Sequence, residues 1–133
     1  MMYTAMPAAG RRALAIDVDP PFQHVLATWL EARSFAVAFV ALAQEAPVPP
    51  PVDLIVCELA EPKLTGARIL GELAQSYPGA VRLAISARFV AGARWDALAR
   101  QLGADAALAK PFSRDEFNAA LDAAFRARPP APR

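Results

Sequence analysis

Five polar residues in this sequence follow apolar runs short enough to be strands. Asp17 and Asp19 follow "RALAI" (12–16), Glu58 follows "DLIVC" (53–57), Ser86 closes "AVRLAIS" (80–86), and Lys110 follows "AALA" (106–109). If the strands lie side by side and point the same way, these acids, a hydroxyl and an ammonium meet on one rim. Hard oxygen ligands of this kind suit Mg²⁺. An ammonium beside a hydroxyl suits a phosphoryl group. Asp17, Glu58 and Lys110 could also form an acid–base set on a small molecule, although no substrate is named by the residues and a fold alone implies none. The plainer alternative is that Asp17 and Glu58 end their strands facing water, that Lys110 is solvated, and that Ser86 is a strand-end hydroxyl.

The runs between these positions read as helices. Phe22, Val25, Leu26, Trp29 and Leu30 recur at helical spacing and predict one apolar face, with Pro20 and Pro21 at the helix start. "FAVAFV" (35–40) predicts a second strand. "ALAQEA" suits a short helix, which "PVPPP" cannot continue. Leu70, Leu73, Ala74 and Tyr77 form the next face, stopped by "YPG". "AGARWDALARQLG" (91–103) predicts a fourth helix closed by Gly103. Ser113 and Glu116 have the spacing of a capping box ahead of Phe117, Ala120, Leu121, Ala124 and Phe125. Five β-α units in series predict an α/β fold: a doubly wound, flavodoxin-like, five-stranded parallel sheet in the order 2-1-3-4-5, with helices on both faces. That order puts a site at the carboxyl ends of strands one and three.

The 133 residues favour one domain, and an apolar content of 56% argues against disorder throughout. Residues 1–10 are expected to be a flexible leader, 11–127 the domain and 128–133 a flexible tail. No output domain is expected to follow. No apolar run is long enough to span a bilayer, and the first residues lack the order of a signal peptide. A cytoplasmic protein with no membrane partner is expected. The net charge of +1 comes from scattered basic residues, which argues against nucleic acid. The single cysteine, Cys57, sits in an apolar run and excludes a disulfide framework. Neither GxGxxG nor GxxxxGK[ST] occurs, so no nucleotide cradle is indicated. His24 lies off the apolar stripe of its helix and is expected to be exposed.

From about residue 12 to 127 the chain resembles the receiver domain of two-component response regulators, the CheY-like superfamily. The resemblance rests on "IDVDP", "DLIVCELAEPKLTG" with Pro62 and Gly66, "AIS" at the end of strand four, and "LGADAALAKPF". It implies two adjacent acids and an Asp that bind Mg²⁺, with the Asp accepting a phosphoryl group from a histidine kinase. It further implies a Ser or Thr and a Lys that contact the phosphoryl oxygens, and an aromatic residue on strand five that reports the change.

Matched position by position, Asp17 takes the place of the first acid, but Val18 replaces the second, and Asp19 falls one position later. Glu58 replaces the phosphoacceptor, Ser86 and Lys110 match the phosphoryl contacts, and Ala107 stands at the aromatic position. Glu is one methylene longer than Asp, a displacement of roughly 1.5 Å. For in-line phosphoryl transfer, a misplacement of about 1 Å costs on the order of 10²-fold. Glu58 can instead reach toward Lys110 and Ser86, imitating part of a phosphoryl charge. Val18 weakens any Mg²⁺ site built on Asp17 and Glu58, so no cofactor is expected.

The expectation is therefore an atypical, stand-alone receiver, not an enzyme, that serves as a phosphorylation-independent protein-interaction module. The alternative is a genuine phosphoacceptor using Glu58; the small-molecule enzyme ranks below both. The expected partners are proteins, such as a histidine kinase or another regulator. A homodimer through the fourth helix, fifth strand and fifth helix is a further possibility, with Trp95 and Ala107 on that surface.

Overall fold

The computed structural model describes residues 11–41, 49, 51–89 and 96–128. The expected leader, Trp95, the chain beyond 128 and all of the expected short helix "ALAQEA" (41–46) but Ala41 lie outside these residues. Five parallel strands, β1 (Arg11–Ile16), β2 (Phe35–Val40), β3 (Leu54–Glu58), β4 (Val81–Ser86) and β5 (Ala106–Ala109), form one sheet in the order β2-β1-β3-β4-β5. This is the order expected from the alternation of strand and helix.

Strands β3 and β4 are buried almost throughout because helices cover both faces. Leu54 and Val56 of β3 pack with Leu26 and Leu30 of α1 (Pro20–Glu31) and with Phe117, Leu121 and Ala124 of α4 (Arg114–Ala127). Ile55 and Cys57 face the other way, onto Leu70 and Leu73 of α2 (Ala67–Ser76) and Ala99 and Leu102 of α3 (Asp96–Leu102). The two-residue period of each strand thus feeds two cores.

The helix ends follow their residues. Pro20 and Pro21 open α1, where a missing N–H goes unneeded. Ser113 Oγ accepts from Glu116 N at 3.1 Å and Glu116 Oε1 accepts from Ser113 N at 2.8 Å, closing the capping box of α4. Gly103 ends α3 at φ +92°, a conformation that costs glycine little.

The structure differs from the sequence reading in places. Strand β3 begins at Leu54, one residue late, and takes in Glu58; β4 begins at Val81. Pro62–Gly66 forms a π-helical turn that runs into α2. A Cβ at Gly66 would lie 3.2 Å from Leu102 Cδ2 and 3.3 Å from Leu59 Cδ1, so both leucine side chains would have to give way slightly. Val25 is 37% exposed, so the apolar stripe of α1 is narrower than the spacing alone suggests. Among the described residues no helix is long and apolar enough to cross a membrane.

Candidate functional site

The loop after β1 supplies the first acids. Asp17 has φ +56°, a left-handed conformation that aspartate tolerates better than most side chains. Its N–H donates to Val40 O at 2.9 Å, and its side chain is exposed. Val18 turns inward and is 5% exposed, in the core shared by α1 and α4. Asp19 is the N-cap of α1, though its side chain makes no capping bond.

The carboxylate of Asp19 instead accepts from Lys110 Nζ at 3.1 Å. Glu58, the last residue of β3, accepts from the same Nζ at 2.8 Å through Oε2 and from Asp19 N at 3.2 Å through Oε1. One ammonium therefore bridges two carboxylates, and one of those carboxylates is also tied to the β1–α1 loop. Lys110 is anchored by its own N–H, which donates to Ser86 O at 3.0 Å, and its Nζ lies 5.6 Å from the centroid of the Phe22 ring. That is within the range of a cation–π contact. The peptide bond from Lys110 to Pro111 is cis.

Burial by itself would lower the pKa of Lys110. The hydrogen bonds and charges of Glu58 and Asp19 outweigh it and hold the ammonium above its ordinary value. Directly beneath, burial pushes the Cys57 thiol up from 9.0 to about 12, with the charges of Asp17 and Glu58 adding to the rise. Cys57 is thus an inert core thiol.

Ser86 is fully buried and lies apart from this cluster. Its hydroxyl donates to Leu59 O at 2.7 Å and accepts from Arg88 N at 3.0 Å. A serine hydroxyl has one proton to give, and this one already serves the backbone. Ala107 is half-buried against the α2–α3 core. Trp95 lies outside the described residues. His24 is exposed.

Two features were not legible as site residues. Phe22 fits a helical core stripe, yet its ring supports the Lys110 ammonium and meets Trp29 and Phe112 edge-on. Phe39 and Val40, from the end of β2, join Asp17, Val18, Asp19 and Gln23 around an open cavity of about 580 Å³. Only the strand order brings β2 beside β1, so no local pattern points to this wall.

Among the described residues no group of three or more His, Cys, Asp or Glu side chains is placed to hold a metal ion. Val18 offers no oxygen side chain, and both oxygens of Glu58 already accept hydrogen bonds.

No protein-family model matches the chain. The chain is 33% identical over 116 residues to the transcriptional regulatory protein KdpE of Mycobacterium tuberculosis, a match over 85% of this chain and 50% of that protein. It therefore spans about half the length of the curated relatives it matches. Its fold is similar to the non-phosphorylated HemR receiver domain from Leptospira biflexa, with a TM-score of 0.67 and 24% identity over 92% of this chain and 98% of that one. The chemotaxis response regulator CheY4 of Vibrio cholerae is also similar, with a TM-score of 0.64 and 18% identity over 87% of this chain and 99% of that one.

Proposed function

The chain is a receiver domain of the response-regulator family, and from that premise we propose that it works as a protein-interaction module whose signalling needs no phosphoryl group. The observation that carries this reading is the 2.8 Å contact between Lys110 Nζ and Glu58 Oε2. It joins the acceptor position to the cation that would otherwise greet an incoming phosphoryl oxygen. The Ser86 hydroxyl is committed to Leu59 O, and Ala107 has no ring to move, so two further parts of a phosphoryl relay have no free group to act with.

In this reading Glu58 supplies a fixed negative charge where a phosphoryl group would add a larger one. The domain is a signalling module rather than an enzyme. Its partner is a protein, such as a kinase or another regulator. The surface formed by α3, β5 and α4 is the place for docking, or for a second copy of the chain. Mass spectrometry after treatment with acetyl phosphate and Mg²⁺ tests the reading. No phosphoryl mass gain is expected; a gain that disappears in Glu58→Ala would establish Glu58 as a working acceptor and end the proposal.

A further inference from the structure

We propose that Lys110 is the resident cation of this rim, its ammonium bridging Asp19 and Glu58 so that the site assembles without any divalent metal. The inference rests on the receiver reading but concerns the counter-ion, not the phosphoryl group. Four contacts hold Lys110 in place. It is hydrogen-bonded to Glu58 at 2.8 Å and to Asp19 at 3.1 Å, it faces Phe22 at 5.6 Å, and its own backbone N–H is tied to Ser86 O. The side chains of Lys110 and Glu58 are 20% and 15% exposed, so water screens their attraction only in part.

Mg²⁺ requires a near-octahedral set of oxygens at about 2.0–2.1 Å. To place it between Asp19 and Glu58 would set a dication against the ammonium that already lies 3.1 and 2.8 Å from those carboxylates, and the two cations repel each other. Val18, buried at 5% exposure, supplies no oxygen to complete such a set. The protein thus replaces an exchangeable ion with a covalently tethered one. Three backbone segments, the β1–α1 loop, the end of β3 and the β5–α4 connection, are joined by it whatever the metal content of the surroundings.

The test compares the unmodified chain with Lys110→Gln and Lys110→Arg. Electron paramagnetic resonance counts bound Mn²⁺, and thermal melts are run in EDTA and in millimolar Mg²⁺. The unmodified chain and Lys110→Arg, which keeps a cation, are expected to bind no Mn²⁺ and to melt at the same temperature in both solutions. Lys110→Gln removes the charge and leaves two neighbouring carboxylates uncompensated. It is expected to bind Mn²⁺ detectably, where the unmodified chain does not, and to gain thermal stability from Mg²⁺.

Mn²⁺ bound by the unmodified chain and displaced by Mg²⁺ overturns the proposal, whether or not the variants fold. So does a folded Lys110→Gln that gains no affinity. Metal binding without a phosphoryl mass gain defeats this inference alone. A phosphoryl gain on Glu58 in EDTA defeats only the functional reading above.

Discussion

At the amino end of the sheet, Asp53 and Asp105 each precede a strand and make the same pair of bonds. Asp53 Oδ2 accepts from Arg12 N at 2.8 Å and Asp53 N donates to Arg12 O at 2.9 Å. Asp105 Oδ2 accepts from Arg82 N at 2.8 Å, and Asp105 N donates to Arg82 O at 2.8 Å. At the carboxyl end, the carboxylates of Asp19 and Glu58 meet a side-chain ammonium, and Glu58 also accepts from the Asp19 N–H of the exposed β1–α1 loop rather than from a strand. The charges are alike and the partners are not. A carboxylate that answers a strand N–H cannot let go without leaving a buried backbone donor unpaired. A carboxylate that answers a lysine side chain can let go without leaving a strand N–H unpaired. The first rim is built to hold the sheet, and the second is built where contacts can change.

The strongest way to break this contrast is Asp105→Ala. It strands the Arg82 N–H and removes the partner of Arg128, which bonds Asp105 at 3.0 Å. Arg82 is itself buried, its pKa lowered by burial first and then by Arg128, and its Nη1 has no partner among the described residues. A loss of about 3 kcal/mol in urea unfolding is expected; a loss below about 1 kcal/mol would put both rims in one class.

Alkali tests the carboxyl end next. The unfolded Cys57 thiol ionises from 9.0, whereas the folded one keeps its proton until about 12, so the folded state holds the extra proton between them and stability falls through that window. Lys110 adds to the fall: its raised pKa contributes fully below the ordinary lysine value of 10.5 and is lost as pH rises through the folded value. Unfolding free energy is expected to drop by roughly 2–3 kcal/mol between about pH 8 and about pH 11. Cys57→Ala should flatten most of that slope, and a level profile in the unmodified chain would contradict it.

Glu58→Ala sharpens the comparison. It removes two charge-assisted bonds but leaves Lys110 with Asp19, so a loss of about 1–2 kcal/mol is expected, smaller than that for Asp105→Ala. The reverse ranking would make Glu58 the main structural acid. The smallest effect belongs to Arg88→Ala, which breaks an exposed pair with Glu61 at 3.2 Å. It should cost less than about 0.5 kcal/mol and fade with added salt; a cost above about 1 kcal/mol would show the site loop to be more tightly held than its exposure implies.

The sheet order and both cores were legible because alternating apolar strands and helices leave few ways to bury both faces. The gathering of Asp19, Glu58 and Lys110 on one rim followed from strand ends alone. The partner of Ser86 was not legible: nothing in "AIS" distinguishes a hydroxyl turned to a site from one turned to the Leu59 carbonyl. Nor was the pairing of Asp53 and Asp105 with strand N–H groups, since an acid beside an apolar run does not say which neighbouring backbone it meets. Phe22 was legible as core but not as the face beneath an ammonium, because the β5–α4 connection arrives from 88 residues away.

The paired bonds of Asp53 and Asp105 have a consequence for folding accuracy. Where β3 and β4 are apolar on both sides, sliding one strand past its neighbour by a residue exposes little that water would punish. Hydrophobic pattern therefore says little about phase in the centre of this sheet. Each aspartate recognises one particular neighbouring backbone group, and a slip of one residue would strand both its carboxylate and the donor it serves. Two acids at the strand starts thus act as indexing marks, selecting one alignment from several that oil alone would accept.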